Sequence, residues 1–232
     1  MAEPASHEPY AGKDLGENTF ECTPKMIDDY CEGLAVDSTR YASASHWAEP
    51  AAPAMIVGDV DGGFHGARFD NAFGNLWMRQ EWQFLKPIFP GKTYRRTSRV
   101  LDVYEWRNRT VVKQQVDLYD DTGAPVVQGT HHQSYLLSQS SGKVELRDPK
   151  KKEGVRKFEI PEGERIESVD KTIDLEMCGV FFHGDKNYHT DKRASEELGF
   201  EEVVVGGKMT MSIIGDMLEQ RFGRGYYEGG SL

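Results

Sequence analysis

The chain has 232 residues, a formal net charge of −10 and 28% charged residues. This length suits one large domain or two small fused ones, and the negative charge opposes binding to a nucleic-acid backbone, so we expect no nucleic-acid partner. The three cysteines are odd in number and widely spaced, which excludes a disulfide framework and a zinc site of paired ligands.

The N-terminal stretch up to Asn18 is polar and lacks the basic start and the apolar run of a secretory signal. The chain also contains no run of about eighteen apolar residues that could span a bilayer. We therefore predict a cytoplasmic protein with no membrane partner.

The first predicted helix begins at Thr23, because a threonine hydroxyl can cap free backbone amides and Pro24 suits the first turn. Apolar residues then recur at helical spacing, namely Met26, Ile27, Tyr30, Cys31 and Leu34. The stretch 37–75 is irregular, apart from one short apolar helix within PAAPAMIVGDVDGGFHG that ends in glycines.

Residues 76–138 form four segments rich in β-branched and aromatic residues, divided by turn-forming stretches such as DDTG. This pattern predicts an antiparallel sheet with one covered face. Residues 139–170 carry charges of both signs and few large apolar side chains, which is typical of a linker. We accordingly predict an N-terminal module at 18–138, a charged linker at 139–170 and a C-terminal module at 171–232.

Two helices are predicted in the C-terminal module. The first runs from Lys192 to Leu198 and is ended by Gly199. The second ends at Gly223 and carries an apolar stripe formed by Ile213, Ile214, Met217, Leu218 and Phe222. Burial of each such side chain contributes about 1.5 to 3 kcal/mol, so we expect the stripe to pack on the sheet or on a partner chain.

The segment GDKNYHTD brings a carboxylate, an amide and an imidazole within five residues. Asp185 and His189 could share one water, with one group accepting its proton and the other later donating, as addition to a double bond requires. Gly206 and Gly207 precede the second helix, where backbone amides can receive the negative charge of a thioester oxygen. A capped turn without catalysis is the alternative interpretation.

The run FFHGDKNYHTDKRAS resembles the signature Gly-Asp-x-Asn-Pro-x-His of R-specific enoyl-CoA hydratases and MaoC-like dehydratases, and PIFPG resembles their strand motif. The resemblance implies an α+β hot-dog fold, an antiparallel sheet wrapped around a central helix. It also implies reversible addition of water to an enoyl-CoA thioester, with no cofactor beyond the coenzyme A of this acyl-CoA substrate. By the same resemblance Asp185 and His189 activate the water, Asn187 orients them, and Gly207 offers the oxyanion amide.

The sequence departs from this family in two ways. Tyr188 replaces the Pro-x pair, so Asp185 and His189 lie four residues apart instead of five. The second hot-dog module is partial, so either the sequence is shortened or a partner chain supplies the missing sheet, and we expect a homo- or hetero-oligomer. Asp37 and Tyr41 echo the motif at the same spacing, which indicates a non-catalytic first copy or a coincidence.

The leading hypothesis is a hydro-lyase that acts on an enoyl-CoA. The alternatives are a non-catalytic acyl-CoA-binding subunit of a heteromeric hydratase and a hot-dog thioesterase. Adjacent His131 and His132 point to opposite faces of a strand, so we expect a surface or interface role for them and no joint metal site.

Overall fold

A computed structural model describes residues 7–43, 46–60, 62–144, 162–166, 168–184 and 186–232. Its strands are β1 (Asp14–Glu21), β2 (Leu76–Phe84), β3 (Thr93–Trp106), β4 (Arg109–Tyr119) and β5 (Pro125–Tyr135). They form one antiparallel sheet in the order β1-β3-β4-β5-β2. The four strands predicted from the sequence are confirmed.

Strand β1 was not predicted from the sequence. It lies at the edge of the sheet, where it pairs with β3, and Phe20 is its one buried residue. Its sequence, DLGENTFE, therefore gives almost no hydrophobic signal. Backbone hydrogen bonds to a neighbouring strand can support such a polar edge strand, whose charged side chains also discourage pairing with other chains.

One helix and two 3-10 helices lie between β1 and β2 in the chain, and the other helices follow β5. They are α1 (Pro24–Leu34), α2 (Leu175–Phe181), α3 (Lys192–Glu197), α4 (Gly207–Phe222) and α5 (Arg224–Gly229), with 3-10 helices at Ser38–Tyr41 and Ala54–Asp59. The predicted cap of α1 is confirmed, because Thr23 Oγ1 accepts a hydrogen bond from the Met26 amide at 3.2 Å. Among the described residues, no helix combines the length and the apolar character needed to cross a bilayer.

One hydrophobic cluster joins the sheet to the helices. Trp82 and Leu118 of the sheet share it with the 3-10 helix Ala54–Asp59, with α1, and with Tyr227 of α5. Leu232 adds two backbone hydrogen bonds to Trp82, at 2.8 and 3.0 Å. Residues on both sides of the predicted linker therefore build one core. Residues 145–161 and 167 of that linker lie outside the described residues, and the module boundaries stay a prediction.

The buried face of α4 coincides only in part with the predicted apolar stripe. Ile214 and Phe222 are 50% and 58% exposed, whereas Ile213, Met217 and Leu218 are half-buried. The helix instead buries Met209, Ser212, Gly215 and Glu219. A Cβ at Gly215 would overlap the Met55 side chain, so the glycine lets α4 pack closely on the 3-10 helix. Ile213 and Leu218 pack against the hydrophobic cluster, as predicted, and a partner chain that covers Ile214 and Phe222 stays a prediction.

A carboxylate on the buried face of α4 fixes the helix through polar contacts. Glu219 accepts a hydrogen bond from the Ala54 amide at 2.9 Å and lies 3.5 Å from the Arg40 guanidinium. Burial raises the pKa of Glu219, although the Ala54 amide and the Arg40 charge act in the opposite direction. Arg40 also pairs with Asp216 at 2.7 Å. These contacts turn the polar side of α4 toward the core.

Asp37 and Tyr41, which echo the motif in sequence, make separate structural contacts. Asp37 caps the 3-10 helix Ser38–Tyr41 by accepting a hydrogen bond from the Thr39 amide at 3.0 Å. The buried Tyr41 hydroxyl instead donates to Asp216 at 3.4 Å. The two side chains thus share no hydrogen-bond partner among the described residues, and a non-catalytic first copy of the motif stays a prediction.

Candidate active site

A cavity of about 350 Å³ lies between the sheet and the start of α4. Strands β2 and β5 contribute its floor, and the loop before α3 and the first residues of α4 contribute the opposite wall. The cavity brings together His189, Gly206 and Gly207, which the sequence had predicted as site residues. Its volume lies toward the lower end of the range of small-molecule sites, about 300 to 1,000 Å³.

Asn187 fixes the loop that carries His189. Its Oδ1 accepts a hydrogen bond from the His189 amide at 2.9 Å, and its Nδ2 donates to the Gly184 oxygen at 2.9 Å. Asp191 then caps α3 by accepting a hydrogen bond from the Ala194 amide at 2.8 Å. Asn187 is not among the described residues that line the cavity. It therefore acts as a positioning residue for the loop.

The imidazole of His189 is buried and held between two aromatic rings. His189 is 9% exposed, and the centroid of its ring lies 3.9 Å from the ring centroids of Phe182 and Tyr188. Its Nδ1 is 2.6 Å from the Val204 oxygen. Because a carbonyl oxygen only accepts, Nδ1 carries the proton of the neutral ring and Nε2 keeps its lone pair. His189 can therefore act as a base at Nε2.

The surroundings of His189 favour its neutral form. Burial lowers its pKa from the ordinary 6.5, the hydrogen bond to the Val204 oxygen raises it, and the charge of Lys208 lowers it further. The net shift is downward. The base is consequently present at neutral pH and persists as the pH falls below 6.5.

The pH dependence of kcat/KM for an enoyl-CoA substrate should report this shift. We expect the acid limb to have an apparent pKa below 6.5, the ordinary value for histidine. Lys208→Met removes a positive charge that lowers the pKa of His189, so this variant should move the limb to higher pH. Lys192→Met is the control, because Lys192 pairs with Glu202 at the surface. An acid limb above 6.5, or one indifferent to Lys208→Met, would contradict the assignment.

Helix α4 starts at the cavity without a side-chain cap, because its N-cap residue is Gly206. Within the part of the chain that the structure describes, the Gly207 amide donates no hydrogen bond. This 16-residue helix also places the positive end of its dipole there. Such a helix start can receive a developing negative charge.

Glycine at both positions lets aromatic rings pack directly on the helix start. A Cβ at Gly206 would overlap the Phe182 ring, and a Cβ at Gly207 would overlap the Trp77 ring. Phe182 also stacks on His189. The imidazole and the helix start are therefore connected through ring contacts, which fixes their relative position.

Asp185, the other predicted catalytic residue, lies outside the described residues. The structure therefore gives no geometry for the pair Asp185 and His189. Their catalytic roles, and the oxyanion roles of Gly206 and Gly207, stay predictions.

The cavity floor contains polar side chains that were not identified from the sequence as site residues. They are Gln80 of β2 and His131, Gln133 and Tyr135 of β5. The prediction that His131 and His132 point to opposite faces is confirmed, since His132 lies on the outer face, 3.0 Å from the Tyr104 hydroxyl. His131 is half-buried and is stacked on Trp77 in the cavity. The alternation HxQxY along β5 was the signal that could have revealed this floor.

No model of a protein family matches the sequence, and no curated protein matches it. Solved structures do match. A MaoC-like dehydratase from Phytophthora capsici is 17% identical with a TM-score of 0.64, over 91% of this chain and 75% of that chain. The peroxisomal multifunctional enzyme type 2 of Drosophila melanogaster is 19% identical with a TM-score of 0.62, over 89% of this chain and 37% of that enzyme. HtdX of Mycobacterium tuberculosis is 14% identical with a TM-score of 0.57, over 90% of this chain and 80% of that chain.

At these identities the similarity establishes the fold alone. It confirms the α+β hot-dog fold class and, at the level of the fold, the resemblance to MaoC-like dehydratases. The long chain of the Drosophila enzyme, of which 37% is covered, includes further regions without a counterpart here.

Proposed function

We propose that the chain adds water to the 2,3 double bond of an enoyl-CoA thioester, or removes it in the reverse direction. One observation carries the proposal: a buried histidine, whose Nδ1 donates to the Val204 oxygen so that Nε2 keeps its lone pair, and an uncapped helix start line the same cavity. The first supplies a base and the second supplies amide donors for an oxyanion. Similarity in fold to proteins named MaoC-like dehydratases supports the same chemistry.

In the proposed hydration, His189 Nε2 takes a proton from water while the water oxygen bonds to C3 of the thioester. The electrons of the double bond move toward the thioester carbonyl, whose oxygen becomes negative. A proton is then delivered to C2, so that the net change is the addition of H and OH. The Val204 oxygen, 2.6 Å from Nδ1, stabilises the imidazolium that exists between these steps.

The negative thioester oxygen would be received at the start of α4. The Gly207 amide is the proposed donor, because Gly207 lines the cavity and has no side chain to cover its backbone. The helix dipole adds to the attraction. Amides fixed before the reaction need no reorganisation when charge develops, which is why such donors lower the barrier.

Asp185 is proposed as the second acid/base group, on the strength of the motif resemblance alone. It would hold the attacking water or return the proton to C2.

The proposal also includes that the chain forms an oligomer and is located in the cytoplasm. The exposed Ile214 and Phe222 of α4 support the oligomer, because burying such side chains contributes about 1.5 to 3 kcal/mol each.

The proposal is tested by following the enoyl absorbance of crotonyl-CoA in the presence of the purified chain. We expect the absorbance to fall to an equilibrium value, with a 3-hydroxyacyl-CoA product and no free thiol. Thiol release, measured by disulfide exchange, would point to the thioesterase alternative. If short, medium and long enoyl-CoA thioesters all remain unchanged, the proposed reaction is wrong for this chain.

A further inference from the structure

The core-facing side of the sheet changes from apolar to polar at the cavity. Farther along β2 and β5 this face carries Phe84 and Val127, both buried in the hydrophobic cluster. At the cavity the same face carries Gln80, His131, Gln133 and Tyr135. The cavity also has apolar lining, including Met55, Trp82 and Met211, but a plain alkyl chain offers the polar groups of the floor no hydrogen-bond partner.

Gln80 is held so that its amide nitrogen lacks a partner. Its Oε1 accepts hydrogen bonds from Trp77 Nε1 at 3.3 Å and from His131 Nδ1 at 2.8 Å. Because an indole N–H only donates, this contact fixes the amide oxygen on that side and leaves Nε2 on the other. Among the described residues, this buried Nε2 has no hydrogen-bond acceptor. An oxygen atom of a ligand would satisfy it.

Tyr135 is a second buried donor without an acceptor. It is 1% exposed, and its hydroxyl has no hydrogen-bond partner within the described part of the chain. Its ring packs on Phe69 and belongs to an apolar cluster with Val100 and Val112. Burial raises the pKa of Tyr135 to about 12, so the hydroxyl keeps its proton and can donate at neutral pH.

The two donors lie at opposite ends of the cavity floor. Gln80 is paired with His131 across β2 and β5, and Tyr135 lies four residues farther along β5. A strand rises about 3.3 Å per residue, which places the two positions about 13 Å apart. At this backbone separation, two oxygen atoms at different points along one ligand fit the two donors better than a single oxygen atom does.

We propose that the acyl group of the substrate carries hydroxyl or keto oxygens, rather than being a plain alkyl chain. This inference rests on the proposed hydration of a CoA thioester and names its substrate class. Gln80 and Tyr135 are the residues that donate to the acyl oxygens, and Trp77 and His131 are positioning residues for Gln80. A site built to hydrogen-bond a substrate discriminates against the analogue that lacks the bonding group.

The test compares trans-2-hexenoyl-CoA with its 5-hydroxy derivative. We expect kcat/KM to be at least about 10-fold higher for the hydroxylated thioester. The double variant Gln80→Leu/Tyr135→Phe should bring this ratio close to one. Tyr104→Phe is the matched control: it removes a hydroxyl on the outer face of the sheet, 3.0 Å from His132 Nδ1, and should leave the ratio unchanged.

Binding of the unreactive saturated pair, hexanoyl-CoA and 5-hydroxyhexanoyl-CoA, separates the inference from the reaction. Trp77 and Trp82 line the cavity, so their fluorescence reports binding. The inference is supported if the unaltered chain binds the hydroxylated analogue more tightly and the double variant does not. If neither enoyl thioester is turned over in that case, only the proposed hydration is wrong. Turnover of both enoyl thioesters with equal kcat/KM overturns the inference and leaves the hydration standing.

Two further outcomes also overturn the inference. The amide carbonyls of the pantetheine arm are another source of oxygen atoms, and they are the same in every CoA thioester. A double variant that loses affinity for both saturated analogues equally would assign the donors to that arm. A melting temperature that falls in Tyr135→Phe while the substrate ratio stays the same would assign the hydroxyl to a structural contact.

Discussion

His189→Asn is expected to lower kcat for crotonyl-CoA hydration at least about 100-fold. Asparagine retains an N–H near the position from which Nδ1 donates to the Val204 oxygen, at 2.6 Å, but it has no counterpart of Nε2. The loss of activity would therefore report the base itself and not the conformation of the loop. Steady-state kinetics should show the effect mainly in kcat, since the proposed proton transfer belongs to the chemical step.

His132→Asn is the matched control for this variant. His132 is also buried, and its Nδ1 also has one hydrogen-bond partner, the Tyr104 hydroxyl at 3.0 Å. His132 lies on the outer face of the sheet, away from the cavity. We therefore expect the kcat of the His132→Asn variant to equal that of the unaltered chain. If His189→Asn and His132→Asn have the same kcat, His189 is not the base.

Gly207→Ala is expected to lower kcat by about 100- to 1,000-fold, the usual effect of losing an oxyanion donor. The new Cβ would overlap the Trp77 ring, so either the helix start or Trp77 must move away. Such overpacking also destabilises proteins by about 1 to 3 kcal/mol. Kinetics and urea unfolding should therefore be measured on the same preparation, at a temperature at which the variant is folded.

Gly225→Ala is the control for that substitution. Gly225 lies in α5, and a Cβ there would meet no atom within 4 Å. We expect unchanged kcat and equal or higher stability, because alanine restricts the unfolded chain more than glycine does. Full activity of a folded Gly207→Ala variant would show that the start of α4 takes no part in catalysis.

The local features of this fold were accessible from the sequence. Thr23 and Asp191 cap helices through their own side chains, and Gly199 ends α3 with a φ of +86°. These are contacts between residues a few positions apart, so local chemistry decides them. The four predicted strands were equally legible, because β-branched and aromatic residues with intervening turns act over a short range.

The candidate site was predicted only in part. The motif singled out His189 and Asn187, and the glycine pair at the next helix supplied Gly206 and Gly207. The polar floor, with Gln80 and Tyr135, was missed because nothing along the chain relates β2 and β5 to a motif more than fifty residues later. Only their placement around one cavity connects them.

The sequence by itself determined the existence of four of the five strands, the helices α1 and α3, the end of α4, and which loop carries the imidazole. The tertiary structure alone decided which side of α4 is buried and which polar residues line the cavity with His189. The physical reason is that a helix packs according to the complementary surface it meets. Met55 fills the space left by Gly215, and the Ala54 amide and Arg40 bind Glu219, so these contacts outweigh the apolar stripe that includes Ile214.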